Sequence, residues 1–432
     1  MTSQTTIAGL SLALAATMTT AAEWPQWRGP AGDGVWPEEV VISELPEGTI
    51  PLRWRAAISS GYSGPTVTDG RVFVMDRVAK PQQIERVHCF AWQTGERMWS
   101  HEYEREYRNV DFIAGPRACV AVSDGLAYAL GTMGDLHCLD AGSGRVIWRR
   151  DLLEEYQIRM PIWGIAASPV VVGDLVIVQI GGVSACLVAF DLRTGEERWK
   201  ALDDQASYST PVLVEQDGRQ ILVCWTGDHV VGLDPATGHV HWKHPHPPKQ
   251  MVISIASPAV EGDRLFVTSF FDGSLMLRLL PDRLDVEELW RRSGPSELET
   301  DALHSTITTP LIIDDHIYGV DSYGEFRALD AATGDRVWEN LEIVPRARWA
   351  TAHLVRNGDR VWILNERGKL MITSLTPQGA VVHSAAQLID PTRDQLNQRD
   401  GVVWSHPAFA YGHVFARNDE ELVCADLSNG SQ

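Results

Sequence analysis

The sequence predicts an all-β chain wound into one eight-bladed β-propeller of four-stranded antiparallel blades, and three observations carry that prediction. Seven tryptophans, Trp54, Trp99, Trp148, Trp199, Trp242, Trp290 and Trp338, succeed one another at separations of 45, 49, 51, 43, 48 and 48 residues, a repeat of propeller-blade size. An internal ruler ends on many of them. Asp, Gly and Trp stand four and four apart at Asp140, Gly144, Trp148; at Asp191, Gly195, Trp199; at Asp234, Gly238, Trp242; and at Asp330, Gly334, Trp338. Upstream of the rulers lie short β-branched runs split by Gly-Asp or Asp-Gly, as in Ala167 to Gln179 and Ala256 to Thr268, the pattern of a hairpin.

Each strand of the unit has its own reason. The hairpin supplies strands one and two, and a short apolar run such as Leu136 to Asp140 supplies the third. The Asp can accept backbone N–H bonds at the start of the next turn and the Gly stands where φ must be positive, so the chain reverses into a fourth strand that ends on Trp. First strands are expected near Gly64, Pro116, Ser168, Thr210, Ser257, Thr309, Thr351 and Pro407, which counts eight blades. Blade one keeps the spacing as Ala91, Gly95 and Trp99 without the Asp. Blade five keeps Trp290 with Asp282 and Val286 in the other slots, and blade seven has Leu375, Gly379 and His383. Blade eight has Asp426 and Gly430, but its Trp slot falls beyond the last residue, Gln432. Trp54 precedes the first complete blade, so the strand around it is expected to complete blade eight and close the ring without an exposed edge.

Ahead of the ring, residues 1–22 carry no charge and contain the apolar run Ile7 to Met18 followed by small residues. This reads as a signal peptide cleaved near Ala22, although Lys and Arg are missing from its start, and it implies export to the periplasm or cell envelope. No other uncharged run approaches 18 residues, so a mature chain without a transmembrane segment is expected. Residues 23–50 form a leader, rich in Trp and Gly between Trp24 and Gly34, whose indoles are expected to pack against the closing blade; residues 51–432 form the ring.

The charge excludes one class of function. With 37 basic against 57 acidic residues and a net −20, the chain lacks the basic stripe that nucleic acid requires. Six cysteines in an exported protein would ordinarily suggest disulfides. Here Cys89, Cys138 and Cys424 occupy the slot two before the Asp position, where other blades carry Ala189, Gly232 and Ala328, so six free, buried thiols are expected. No G-x-S-x-G, Walker loop or H-E-x-x-H occurs, and no catalytic residue is assigned. His239, His241, His244 and His246 crowd one segment, but turn and Pro-rich loop positions argue against a metal site there. The segments that lead into first strands should converge on one mouth of the central channel. They carry Tyr62, Arg117, Trp163, Tyr208, His304, Arg348, Trp404 and His406, a mixed aromatic and cationic set that forms the candidate binding site.

The repeated Asp-x-x-x-Gly-x-x-x-Trp unit resembles the tryptophan-docking motif of the pyrroloquinoline-quinone-type (PQQ-like) eight-bladed propellers, over essentially residues 51–430. The opening Trp24 to Gly34 is similar to the leader of a bacterial group of exported PQQ-like repeat proteins. The resemblance implies one of two branches: quinoprotein dehydrogenases, or non-catalytic relatives such as the lipoprotein that assists outer-membrane β-barrel assembly. The dehydrogenase branch implies adjacent cysteines over the quinone, acidic and amide ligands to Ca2+, and an Asp base. This sequence has no adjacent cysteines; the closest pair, Cys119 and Cys138, is 19 apart. The expectation is therefore a monomeric, non-catalytic binding or scaffold module without a cofactor, engaging an envelope or periplasmic protein or a small ligand. The alternative is a PQQ- and Ca2+-dependent dehydrogenase of alcohols or sugars.

Overall fold

The computed structural model describes residues 22–39 and 41–429 and arranges them as eight four-stranded antiparallel sheets around a ring. The expected signal segment lies almost wholly outside the described residues, as does Gly430. Blade three shows how a repeat is built. Its strands Val170–Val172, Leu175–Gly182, Ala185–Asp191 and Glu197–Ala201 pair in sequence, with Val170 opposite Ile177, Ile177 opposite Ala189 and Ala189 opposite Trp199. The second and third strands are buried almost throughout because neighbouring blades cover both faces. Only the fourth strand is mostly exposed, which is why the Val/Ile/Leu runs precede the ruler and the charges follow it. Asp191 Oδ1 accepts from Arg193 N and Thr194 N, each at 2.9 Å, and Gly195 takes φ +71° to complete the reversal.

The ruler operates between blades. Trp148 donates its indole N–H to Leu192 O of the next blade at 2.9 Å, the carbonyl just after Asp191. Its ring covers Gly195, where an added Cβ would meet the indole at 2.6 Å. The same relation joins Trp54 to Trp92 O and Gly95, Trp99 to Ala141 O and Gly144, Trp199 to Pro235 O and Gly238, and Trp290 to Ala331 O and Gly334. Trp338 reaches Thr376 O in blade seven, where the Asp slot has become Leu375. Where the ruler is intact, the Asp and Gly of the turn thus build the seat for the preceding blade's tryptophan.

Ring closure follows the sequence expectation. The strand Leu52–Ala57 pairs with Glu421–Asp426, placing Trp54 opposite Cys424, so blade eight combines segments from both ends of the ring. All six cysteines are free and buried. Cys89 and Cys138 face Trp99 and Trp148 across their strands, a place that Ala189 and Gly232 fill in other blades, so the slot accepts what fits beneath an indole.

The leader does more than pack against the closing blade. Trp24 bridges Val67 of blade one and approaches Phe409 of blade eight, with ring centroids 6.1 Å apart. Pro25 O accepts from Val122 N of blade two, Trp36 packs edge-on against Trp362 of blade seven, and Trp27 Nε1 donates to Ser257 Oγ of blade five at 2.9 Å. The segment therefore crosses the ring at the end where first and second strands join, and it blocks that end of the channel.

Candidate functional site

The opposite end is open. The segments leading into first strands line a cavity of about 300 Å³ there, and Trp27 of the leader reaches its lining from below. Seven of the eight residues expected at the mouth line it together: Tyr62, Arg117, Trp163, Tyr208, Arg348, Trp404 and His406. His304 does not. Its Nε2 accepts from Gly294 N at 3.1 Å and its Nδ1 donates to Phe270 O at 3.0 Å, so both ring nitrogens are spent inside the wall. Burial lowers its pKa accordingly.

The walls are largely aromatic. Trp163 packs on Tyr208 with centroids 5.0 Å apart and ring planes tilted by 40°, and Tyr208 Oη accepts from Trp163 N. Phe112 stands between three tryptophans, 5.9 Å from Trp163, 6.1 Å from Trp404 and 6.4 Å from Trp349. Phe112 and Trp349 adopt φ +55° and +61°, left-handed backbone that a bulky side chain seldom takes, so the loops hold these rings in place at a local energetic cost. Burial raises the Tyr208 phenol to about 12 and pushes Tyr62 up as well, so both remain neutral.

Two arginines supply the charge. Arg348 lies over the Trp349 ring at 4.4 Å and is held by Glu297 at 2.7 Å. Arg117 lies over Tyr62 at 5.1 Å and donates to Gly115 O, Thr132 Oγ1, Asp111 O and Phe112 O, all neutral oxygens. Deeper in, His406 lies 5.0 Å from Trp27 and 4.8 Å from His353. Its imidazole is pushed far below the usual range by burial, with the His353 and Arg28 charges adding to the effect.

The acidic residues of the second-to-third-strand turns tie loops down. Asp228 accepts from Gln205 N, Asp272 from Lys249 N and Asp321 from His304 N, while Glu366 holds Arg399 through two 2.7 Å bonds. None of them lines the cavity. In the histidine-rich segment, Arg291 bonds His244 and His246, and no group of three His, Cys, Asp or Glu among the described residues could hold a metal ion.

Three aromatic contributors escaped sequence reasoning. Phe112 and Phe271 sit in loops without spacing rules, and Trp27 arrives from the leader through the blocked end. Trp349 carried a signal, since it also lies in a segment leading into a first strand.

The residues present do not fit Ca2+-assisted quinone chemistry. Ca2+ takes six to eight oxygen ligands, mainly from carboxylates, carbonyls and amides. Among the described residues, no carboxylate, side-chain amide or thiol lines this cavity. The six cysteines are dispersed and buried, with burial raising Cys89, Cys119 and Cys138 to about 12.

A family model described as outer membrane protein assembly factor BamB matches residues 83–276 and 255–432. The outer membrane protein assembly factor BamB of Shewanella oneidensis is 24% identical over 335 residues, 72% of this chain and 76% of that protein. The quinohemoprotein alcohol dehydrogenase of Comamonas testosteroni is 28% identical over 146 residues, 32% of this chain; the match spans only 19% of the enzyme. Its solved structure aligns with a TM-score of 0.62 at 13% identity, over 95% of this chain and 81% of that chain. The crystal structure of BamB from Moraxella catarrhalis aligns with a TM-score of 0.60 at 16% identity, over 87% of this chain and all of the other. Structural likeness at such identities shows the fold alone.

Proposed function

The chain belongs to the family described as outer membrane protein assembly factor BamB, and on that premise we propose that it is an exported propeller that acts by binding, holding an envelope protein or a small ligand at the open mouth. The observation that carries this reading is the mouth itself, an aromatic cavity with two arginines and no carboxylate or thiol in its lining. Proton abstraction or covalent catalysis needs a positioned base or an activated nucleophile, and such a lining favours binding. The rim suits a macromolecular partner: Ile113, Ile162, Val183 and Leu298 are exposed on loops around this end, next to Phe112, Trp163 and Glu297. Membership in the family, whose named relatives are assembly factors of the outer membrane, supports a place in envelope assembly.

Crosslinking in the periplasm followed by mass spectrometry tests the proposal. Crosslinks from rim loops to an envelope protein are expected; crosslinks confined to the outer fourth strands would overturn the assignment to the mouth. A second reading, a quinoprotein dehydrogenase, draws on the sequence similarity to the Comamonas enzyme. Alcohol- or sugar-dependent dye reduction after adding PQQ and Ca2+ would establish it in place of the first.

A further inference from the structure

Four arginines are buried among the described residues, and the protein answers three of them. Arg327 pairs with Asp321 and Glu339 at 2.9 and 2.8 Å. Arg417 spends Nε, Nη1 and Nη2 on the carbonyls of Asn418, Met75 and Ser59. Arg77 bonds Ile113 O and Gln83 Oε1 and lies 4.0 Å over the Tyr107 ring. Arg28 of the leader is the exception. It is 2% exposed, and its one hydrogen bond among the described residues runs from Nη2 to Asp33 O at 2.8 Å, with no carboxylate at ion-pair distance.

The neighbouring acid is occupied elsewhere. Asp33 Oδ1 accepts from Val35 N at 2.9 Å, and no other acidic charge among the described residues acts on Arg28. Burial lowers the guanidinium pKa only to about 10, so it stays charged. Two basic neighbours are neutral: His353 donates from Nε2 to Trp404 O and His406 from Nδ1 to Pro407 O, and burial, with the Arg28 charge adding to it, keeps both imidazoles unprotonated. One positive charge is left without a counterion. Such a charge is strongly destabilising, yet the backbone is bent to place it there. Arg28 takes φ +61°, which a long side chain seldom adopts, and a Cβ on Gly34 would collide with the guanidinium. Trp24 and Trp27 of the same leader pack on His406 with centroids 6.1 and 5.0 Å away, so the charge sits among rings rather than in bulk water.

We propose that the leader-blocked end of the channel holds a small inorganic monoanion, of chloride size, against the Arg28 guanidinium. One unmatched positive charge calls for one negative charge, and the N–H groups of Arg28 that Asp33 O does not use are its donors. By neutralising Arg28 the anion stabilises the leader in its seat across the channel. Arg28 does not line the mouth cavity, so the proposal stands apart from the reading of that mouth.

Thermal melts of the full chain in sodium chloride and in sodium gluconate at equal ionic strength test this, gluconate being too large for an enclosed site. Chloride should raise the melting temperature by about 1–2 °C and saturate with concentration, as a single site requires. Arg28→Met keeps the length of the side chain and should remove the difference between the two salts. Crystals grown in sodium bromide give a measurement that needs no variant, which covers the case in which Arg28→Met fails to fold: an anomalous peak should lie in contact with the Arg28 guanidinium. Equal melting temperatures in the two salts would overturn the proposal, as would a chloride effect that rises without saturation or survives Arg28→Met. Bromide peaks confined to the mouth or to surface arginines would overturn it as well. None of these outcomes bears on partner binding at the mouth, which the rim crosslinks test separately.

Discussion

Trp242 and Gln216 form a relay across a blade junction whose turn has lost its ruler glycine. The Trp242 indole donates to Gln216 Oε1 at 3.0 Å within blade four, and Gln216 Nε2 donates onward to Asp285 O at 2.6 Å and Arg283 O at 3.3 Å in blade five. Arg283 follows Asp282, so its carbonyl holds the place that accepts an indole directly at other junctions. One amide side chain thus spans the gap left where the Gly slot became Val286.

Gln216→Ala is therefore expected to destabilise the chain by about 1–3 kcal/mol, since it leaves a buried indole N–H and the facing carbonyls without partners. Urea denaturation followed by tryptophan fluorescence measures this. A loss no greater than that of an exposed Gln→Ala change would show the relay to be incidental.

Two glycines separate backbone strain from steric conflict. Gly125 has φ +73° with open space around its missing Cβ, whereas Gly144 has φ +72° and a Cβ there would meet the Trp99 ring at 2.6 Å. Gly125→Ala should cost about 1–2 kcal/mol for left-handed backbone alone. Gly144→Ala should cost about 1–3 kcal/mol beyond that and alter the Trp99 environment, because the indole must leave its seat. Equal losses in thermal melts would mean that the ruler glycine serves only the turn.

Trp36 is fully buried against Trp362 and Phe409, although it lies in the leader. Trp36→Ala should cost about 3–5 kcal/mol, the range for a large core truncation. A melting temperature close to that of the parent would show that the leader contributes no stability to the ring.

Acid should weaken the fold through His353. Burial lowers its imidazole to about 4, and Nε2 faces Trp404 O at 2.9 Å, which places the proton of the neutral ring on Nε2. For a base whose folded pKa is depressed, the stabilising contribution is present above the unfolded value near 6.5 and disappears as the pH falls toward 4. His353→Gln should flatten the stability profile between pH 7 and 5 by on the order of 2 kcal/mol. Denaturant titrations at both pH values measure it, and parallel losses in the two proteins would exclude His353 as the acid-sensitive group.

The thiols should be silent. Burial raises Cys119 to about 12, and all six cysteines lie inside the blades, so a thiolate-seeking reagent should label none in native buffer and all six in denaturant. Rapid labelling of any one under native conditions would reveal local opening at that blade.

Blade architecture was legible because the Asp–Gly–Trp spacing is enforced by contacts, each turn having to fit a neighbour's indole. The mouth was legible in part for a related reason, since every blade delivers its first strand from the same side and Tyr62, Arg117, Trp163 and Trp404 occupy equivalent approaches. What remained hidden depends on irregular backbone. Phe112 reaches the centre of the aromatic group through a left-handed conformation, Trp27 enters through the end blocked by the leader, and His304 turns into the wall because Phe270 O and Gly294 N satisfy it there. No periodicity encodes any of these.

The pairing of Leu52–Ala57 with Glu421–Asp426 also sets a schedule. A chain made N-terminus first presents the strand carrying Trp54 long before its partner exists, so that strand must wait while seven blades assemble. Until the last segment arrives, blades one and seven present unfinished flanks, and the late pairing of residues more than 360 apart should make maturation slow. The same joint makes the ring all-or-none with respect to its tail: a chain truncated before Glu421 would leave Trp54 with no strand to join, while a cut in an outer loop of a middle blade, with the old ends linked, would relocate the wait without abolishing the fold.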